Sequence, residues 1–165
     1  MKHLKKELEN VINHVKKSRI KPEKYTPNES LQKAYIFDID GTLALMGNRS
    51  PYEWDRVDED TVNEPVARVL RGMNCNNMSV IICTGRDGVC EPKTRGWLCD
   101  NNMDFQDLYM RKTGDNRKDS IVKKEMFNEI KKKYHVLGVF DDRNQTVKMW
   151  RDMGLTCFQV AEGNF

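Results

Sequence analysis

The chain has 165 residues, of which 38% are hydrophobic and 32% are charged, and its formal net charge is +3. This length suits one domain with a substantial core and excludes two full-sized domains. A net charge this small gives no argument for nucleic-acid binding by itself, and no apolar run approaches the roughly 20 residues that span a bilayer.

The N-terminal residues predict a short amphipathic helix followed by a linker. Apolar residues recur at helical spacing within residues 3–17, at Leu4, Leu8, Val11, Ile12 and Val15. The next stretch, "KPEKYTPNES", holds two prolines and many polar residues, as surface loops do. We therefore expect residues 1–30 to form a helix and linker, available for self-association or partner contact, and residues 31–165 to form one α/β domain.

From residue 33 onward, predicted strands and helices alternate. Strands are expected at 33–39, 78–84, 107–111, 136–142 and 155–160. Helices are expected at 58–74, 91–102, 117–134 and 143–154, the third with Ile121, Val122, Met126 and Ile130 facing inward. Because the strands are near-continuous apolar runs separated by helices, the pattern predicts a central parallel five-stranded sheet with helices on both faces, a three-layer Rossmann-like fold.

The five cysteines do not indicate a zinc site. No two of them have CxxC spacing, and none of the three histidines lies near a cysteine. Cys83 and Cys157 lie in apolar runs, where a buried thiol is expected. The polar N-terminus has no signal-peptide hydrophobic region, so a reducing cytoplasm is the expected setting, that of the host cell if the chain is viral.

Polar residues collect where the predicted strands end. The first strand runs into Asp38-Ile39-Asp40-Gly41-Thr42, the second into Thr84-Gly85-Arg86, and the fourth into Asp141-Asp142-Arg143. Lys118 begins the helix before that fourth strand. Taken alone, two acids at a strand end could cap a helix or hold a cation. Since parallel sheets bind ligands beyond the carboxyl ends of their strands, the combined set favours a catalytic site.

The chemistry of this set points to phosphate transfer. Clustered carboxylates repel each other unless a hard cation joins them, and Mg²⁺ prefers oxygen ligands. One carboxylate can attack phosphorus to form an acyl phosphate, and a second can protonate the leaving oxygen and later activate water. Lys118, an arginine and the Thr84 hydroxyl would supply charge and hydrogen bonds to the transferring group.

These motifs resemble the four motifs of the haloacid dehalogenase (HAD) phosphatases. Further segments, among them "GNRSPYEW", "TRGWL" and "GDNRKDSIVKKEMF", are similar to the 3′-phosphatase domains of bacteriophage polynucleotide kinase/phosphatases, over roughly residues 33–165. The resemblance implies a HAD fold with a small lid, and a Mg²⁺-dependent phosphatase that removes 3′-phosphates from DNA or RNA ends through a phospho-aspartate.

The resemblance also implies roles for individual residues. Asp38 matches the nucleophile and Asp40 the general acid/base, whose main-chain carbonyl also contacts Mg²⁺. The matching metal-binding acids of the last motif are Asp141 and Asp142. Thr84 matches the phosphate-binding hydroxyl residue, and Lys118 the lysine that contacts both nucleophile and phosphate.

A second group of residues is expected to bind the substrate. Arg49 and Arg86 match active-site arginines of this subfamily, Gly85 lies between two motif residues, and Asp115 resembles an acid that orients the cations. Arg117 flanks Asp115 and could guide a nucleic-acid backbone or be solvated surface charge.

Three alternatives stay open at this stage. The chain could be a HAD phosphatase for free nucleotides or other small phosphate esters, or an end-binding domain without catalysis. Trp54 could stack on a base or pack the lid onto the core. No GxxxxGK[ST] motif occurs, so no P-loop kinase activity is expected, and a separate kinase or ligase could act beside this protein.

Overall fold

The computed structural model describes residues 24–76 and 78–164, so the predicted helix at 3–17 lies outside the described residues. The strands in the described part are β1 Gln32–Phe37, β2 Ala44–Leu45, β3 Thr61–Val62, β4 Ser79–Asp87, β5 Asp107–Arg111, β6 Tyr134–Arg143 and β7 Cys157–Gly163. The α-helices are α1 Glu64–Cys75, α2 Glu91–Asp100, α3 Asp119–Lys133 and α4 Asn144–Asp152, with 3-10 helices at Trp54–Glu59 and Gly88–Cys90.

Five strands form a parallel sheet in the order β5-β4-β1-β6-β7, which confirms the predicted doubly wound α/β fold. Strand β1 lies in the centre, paired with β4 on one side and β6 on the other. Residues that follow β1 therefore lie between the carboxyl ends of the two neighbouring strands, where such sheets bind ligands.

The sheet separates two hydrophobic clusters, because successive side chains of a strand point to opposite faces. On one face, Ile36 of β1 belongs to a cluster with Phe127 of α3 and Trp150 of α4. On the other face, Phe37 belongs to a cluster with Leu70 of α1 and Leu98 of α2, among others. Cys83 and Cys157 are both buried free thiols in the first cluster, as predicted.

A small antiparallel pair, β2 with β3, carries the 3-10 helix Trp54–Glu59 between its strands. The sequence pattern predicted a continuous helix over 58–74, and this was wrong for its first six residues, because the helix begins at Glu64. Pro65 is the reason, since proline is tolerated in the first turn of a helix but would clash with the preceding turn in its interior. The chain ahead of it is free to pair with β2.

Tyr25, which precedes the predicted domain start at residue 31, already packs against the α/β domain. The Tyr25 backbone N–H donates to the Met153 carbonyl (2.7 Å), and its hydroxyl accepts the N–H of Val136 (2.9 Å). Its ring packs edge-to-face on Phe127, with 5.2 Å between centroids. Across the described residues, we find no helix with the length and apolar character needed to cross a membrane.

Candidate active site

The predicted strand-end residues lie together at one edge of the sheet. Asp38 directly follows β1, and its backbone N–H donates to the Phe140 carbonyl of β6 (3.0 Å). On that same neighbouring strand, Asp141 and Asp142 reach the site. Ligand oxygens of Asp38, Asp141 and Asp142 all lie within 4.8 Å of one another, and all three residues are buried.

A glycine allows this close approach. Gly41 has φ +79°, a backbone conformation that side chains with a Cβ rarely adopt. A Cβ at this position would lie only 2.1 Å from Oδ2 of Asp142. The turn after the first strand therefore requires glycine both for its backbone angle and for the space that Asp142 occupies.

A buried lysine neutralises part of this acidic group. The Lys123 side chain is fully buried, and its Nζ lies 2.8 Å from Asp38 Oδ2 and 2.9 Å from Asp141 Oδ2. Asp119, four residues earlier on α3, lies 3.4 Å from the same nitrogen. Burial lowers the pKa of Lys123, but Asp119, Asp141 and Asp38 together raise it well above its usual value, so the ammonium form persists.

Lys123 holds the place that sequence reasoning assigned to Lys118. Lys118 precedes α3, is exposed and borders the cleft, whereas the lysine paired with Asp38 is Lys123. The reason is which face of α3 is buried. Residues 119, 122, 123, 126, 127 and 130 form the buried stripe of α3, and Ile121, predicted to face inward, is 44% exposed. The lysine that contacts Asp38 therefore lies five positions further along the chain than predicted.

Asp141 and Asp142 differ in how much of their acceptor capacity is already used. Asp141 accepts from Thr146 Oγ1 (2.6 Å), the Arg143 backbone (3.1 Å) and Trp150 Nε1 (3.0 Å), besides Lys123. Asp142 accepts a longer bond from Thr42 (3.4 Å). Asp142 is therefore the freer ligand, and Asp141 is a fixed part of the protein scaffold.

The pKa values of these acids follow from burial and from this pairing. Burial raises the pKa of Asp38 well above its ordinary value, which Lys123 opposes and the neighbouring acids reinforce. Burial and the charge of Asp141 raise the pKa of Asp142 to about 6. Burial also acts to raise the pKa of Asp141, but Lys123 and the hydrogen bonds from Thr146 and Trp150 outweigh it and lower that pKa. Full ionisation of these three acids is therefore disfavoured when Lys123 is their shared cation.

The charge on these acids fits a divalent cation. Arg111 lies 2.9 Å from Asp119 and balances that acid. Asp38, Asp141 and Asp142 share Lys123, so full ionisation leaves two excess negative charges beside clustered carboxylate oxygens. Hard oxygen ligands of this kind suit Mg²⁺. Asp38, Asp141 and Asp142 therefore form a candidate magnesium site.

The predicted arginines form a second buried cluster beside Asp40. Arg49 Nη2 donates to Asp40 Oδ1 at 2.9 Å, and Arg86 donates to the same oxygen from Nη2 (2.7 Å) and Nε (3.0 Å). Both arginines also donate to Asp60, a residue that the sequence reasoning did not select. Thr84 is fully buried, and its Oγ1 accepts the backbone N–H of Arg86 (3.2 Å).

An open cleft of about 680 Å³ exposes part of this arrangement. The predicted residues that border it are Asp38, Asp40, Gly85, Asp115, Arg117, Lys118 and Asp142. Tyr52 and Trp54 border it too, with Tyr52 80% exposed and set edge-to-face against Trp54. Of the predicted residues that do not border the cleft, Arg49, Thr84, Arg86 and Asp141 lie buried.

Asp115 and Gly85 occupy positions that support the cleft wall. Asp115 binds Arg117 with both carboxylate oxygens, which lowers the Asp115 pKa to about 2. Arg117 also pairs with the exposed Glu125, so its charge is shared at the surface. At Gly85, a Cβ would lie 2.3 Å from Asp119 Oδ1, so glycine allows α3 to approach β4.

Lys123, Asp119 and Asp60 are the charged residues that the sequence reasoning missed. The first two had a detectable signal, because they recur with Val122, Met126 and Phe127 on one helical stripe. A charge on the apolar stripe of a buried helix needs a buried partner. Asp60 had no comparable signal, since it follows an irregular 3-10 helix.

The fold and the acidic strand ends define a HAD-type phosphatase. Solved structures with low sequence identity show the same fold, including a D,D-heptose 1,7-bisphosphate phosphatase from B. bronchiseptica complexed with magnesium and phosphate (TM-score 0.57, 15% identity, covering 78% of this chain and 80% of that one). The chain belongs to the polynucleotide kinase PNKP phosphatase domain family, whose model matches residues 32–165.

Two relatives have higher identity. A chain in the solved Pnkp1/Rnl/Hen1 RNA repair complex is 42% identical, with a TM-score of 0.83, over 90% of this chain and 48% of that one. A putative bifunctional polynucleotide kinase/RNA ligase of Autographa californica nuclear polyhedrosis virus is 37% identical over 146 residues. The chain thus spans about half of the first relative and 21% of the second.

Proposed function

We propose that this chain is a Mg²⁺-dependent polynucleotide 3′-phosphatase that converts a terminal 3′-phosphate of DNA or RNA into a 3′-hydroxyl. The observation that carries the proposal is the position of Asp38. It lies at the floor of an open cleft, paired with buried Lys123, and Asp40 borders the same cleft two residues along the chain. Membership of the PNKP phosphatase family supports the choice of substrate.

In the first step, a carboxylate oxygen of Asp38 attacks phosphorus, and the bond from phosphorus to the 3′ oxygen breaks. Asp40 gives its proton to the departing oxygen, so that the nucleic acid leaves with a hydroxyl. In the second step, Asp40 takes a proton from water, whose oxygen attacks phosphorus and displaces Asp38. The products are inorganic phosphate and the original enzyme.

Lys123 has two tasks in this scheme. Its charge stabilises the carboxylate form of Asp38, which burial alone would disfavour. It also holds the side chain in one orientation, because Asp119 and Asp141 fix the ammonium from two other directions. A nucleophile oriented in this way reaches phosphorus with little rearrangement.

Mg²⁺, held by Asp38, Asp142, Asp141 and the main-chain carbonyl of Asp40, would supply the positive charge that lets a phosphate dianion approach these acids. Arg49 and Arg86, which bind Asp40 and do not border the cleft, would add positive charge near the phosphate. In the present geometry Asp40 Oδ1 accepts from both arginines. Asp40 Oδ2 accepts a longer bond, from Arg86 Nε (3.2 Å), and this oxygen would carry the proton to the substrate while Oδ1 keeps its arginine donors.

The shape of the cleft favours a polymer end over an enclosed small molecule. The lid consists of β2 and β3, two residues each, with a 3-10 helix between them, and the cleft stays open to solvent. Lys118 and Arg117 lie at its border, where a cation can contact a nucleic-acid backbone, and Tyr52 presents an exposed ring for a base. Names of the two relatives associate them with RNA repair and RNA ligation, which supports RNA ends as substrate and a ligase as a partner.

Phosphate release from a 3′-phosphorylated oligonucleotide, with Mg²⁺ and with EDTA, tests the proposal. We expect release with Mg²⁺ only, and none from the Asp38→Asn variant. DNA and RNA oligonucleotides of one sequence, together with a 3′-mononucleotide, form the substrate panel. Efficient turnover of the mononucleotide with none of either oligonucleotide would make the chain a small-ester phosphatase. Tight oligonucleotide binding without turnover would make it an end-binding domain.

A further inference from the structure

Away from the cleft, one part of the parallel sheet carries an aromatic surface that is left partly open. Phe140 of β6 stacks on Phe158 of the edge strand β7, with 4.8 Å between ring centroids, and lies 6.2 Å from the ring of Tyr35 on β1. Phe158 is 46% exposed and Tyr35 is half-buried. We call the rings of Tyr35, Phe140 and Phe158 the aromatic face.

The described helices explain why this surface is open. Helix α4 packs against β7 from the opposite face of the sheet, where Trp150 and Cys157 share a cluster. On the side of the aromatic face, α1 packs against β4, on the other side of β1. Parallel sheets are normally covered on both faces. The β6–β7 end of this face is therefore a place for a further apolar element.

A glycine shapes the surface between the rings. A Cβ at Gly138 of β6 would lie 3.1 Å from both Phe158 Cε2 and Tyr35 Cε1. The two rings thus flank a position that has no side chain. An apolar side chain from a covering element would meet rings at the sides and backbone below.

The described chain begins close to this end of the sheet. The Tyr25 backbone N–H donates to the Met153 carbonyl, and Lys24 lies beside Gly154, where an added Cβ would be 3.4 Å from Lys24 Cβ. Phe158 follows Gly154 by four residues, a separation of at most about 14 Å. Residues 18–23 could span about 20 Å when extended, so residues 3–17 have enough connecting chain to reach the aromatic face.

The sequence of that segment supplies an apolar stripe of suitable length. Within residues 3–17, which lie outside the described residues, the apolar residues at helical spacing are Leu4, Leu8, Val11, Ile12 and Val15. In a helix this stripe would be about 17 Å long, and three neighbouring strands span about 10 Å from the first to the third. A single helix of this length would cross β1, β6 and β7.

We propose that the aromatic face is a docking surface for the chain's own residues 3–17, which cover Phe158 with their apolar stripe. The matched family model begins at residue 32, so this contact would be an addition to the domain that the family shares. It does not depend on the proposed phosphatase function. Apolar burial drives the association, and the tether at Tyr25 makes it intramolecular.

A photo-cross-linking experiment on the full chain tests the proposal. The photoreactive residue p-benzoyl-phenylalanine replaces Phe158, where it keeps the ring, and mass spectrometry locates the cross-linked peptide. Val69 on α1, which is 41% exposed, is the matched position for the control. We expect cross-links from position 158 to residues 3–17 of the same chain, and none to that segment from position 69.

Two double variants test the apolar stripe. Leu8→Asp with Ile12→Asp places charge on the stripe, whereas Asn10→Asp with Asn13→Asp adds the same charge on the opposite side of the predicted helix. We expect the first pair to lower the cross-link yield about fivefold or more, because burying a charge is costly, and to lower the melting temperature by about 3 °C or more. The second pair is expected to change neither quantity.

Three results would overturn the proposal. Position 158 could give no cross-link to residues 3–17, or both double variants could reduce the yield equally. Cross-links between two chains, seen together with a dimer by light scattering, would assign the aromatic face to a second copy instead.

Discussion

Lys123 Nζ lies 2.8 Å from the Asp38 carboxylate, and the lysine side chain is fully buried. Its α3 neighbour Asp119 and the β6 residue Asp141 hold the same ammonium group. The nucleophile predicted from sequence is therefore oriented by a helix on one face of the sheet, and not only by the strand that carries it.

Replacing Lys123 with methionine leaves three buried carboxylates without their shared cation. We expect kcat to fall by about 100-fold or more, as for the loss of a charged group at a reacting centre, with a destabilisation of about 3–5 kcal/mol. Oligonucleotide phosphatase assays and urea melts measure both effects. Lys124→Met, on the exposed face of the same helix, is the control and keeps wild-type values. A larger loss for Lys118→Met than for Lys123→Met would favour the lysine predicted from sequence.

Asp38→Asn removes the proposed nucleophile and changes little in side-chain volume. We expect turnover to fall by about 10⁴-fold or more, because an amide does not form the phospho-enzyme. Stability in EDTA at neutral pH is expected to hold or rise, since burial already disfavours the charged form of Asp38. Phosphate release and a thermal melt report the two quantities. Residual turnover near the wild-type rate would exclude Asp38 as nucleophile.

Magnesium stabilisation is expected to depend on pH through Asp142. Its pKa is raised to about 6, above the value of an exposed aspartate, so the folded state takes up a proton before the unfolded chain does. Lowering the pH through 6 therefore removes the destabilising contribution of ionised Asp142 to the metal-free protein. The same proton competes with the metal. We expect Mg²⁺ to raise the melting temperature at pH 7.5 and much less at pH 5.

The control for this pH dependence is Asp142→Asn. That variant is expected to lose both the magnesium effect and part of the pH response of the metal-free protein. If Mg²⁺ raised the melting temperature of the wild type equally at pH 7.5 and at pH 5, Asp142 would not be a magnesium ligand.

Gly41→Ala tests the geometry of the turn after β1. Alanine at φ +79° costs about 1–2 kcal/mol in backbone strain, and its Cβ would overlap the Asp142 carboxylate. We expect Mg²⁺-dependent activity to be lost together with the magnesium-induced rise in melting temperature. Gly47→Ala is the matched control, because a Cβ added there would meet no atom of the described residues within 4 Å. Similar behaviour of both variants would contradict this role of Gly41.

The strand-end residues were predictable because parallel strands bring their carboxyl ends to one edge whatever the loops between them do. Asp38, Asp141 and Asp142 needed only correct strand positions, and these were predicted within a few residues. The lysine was harder. Choosing between Lys118 and Lys123 required the rotation of α3, and one misplaced apolar residue, Ile121, was enough to hide it.

The arginine cluster shows a second limit. Arg49 and Arg86 came from family resemblance, but their shared partner Asp60 lies at the junction of a 3-10 helix and a two-residue strand. Such short elements are held by tertiary contacts. Here these are the hydrogen bond from Trp97 to the Asp60 carbonyl and the pairing of β3 with β2. Local sequence pattern carries little information about them.

The chain has three tryptophans, and the structure places each at a different part of the site. The Trp150 indole N–H donates to Asp141, that of Trp97 donates to the Asp60 carbonyl, and Trp54 borders the cleft mouth. Indole emission depends on nearby charge and hydration, so each ring is a built-in fluorescence reporter. Variants that retain one tryptophan, with phenylalanine at the other two positions, would allow metal loading, changes around Asp60 and substrate entry to be timed separately, without any added dye.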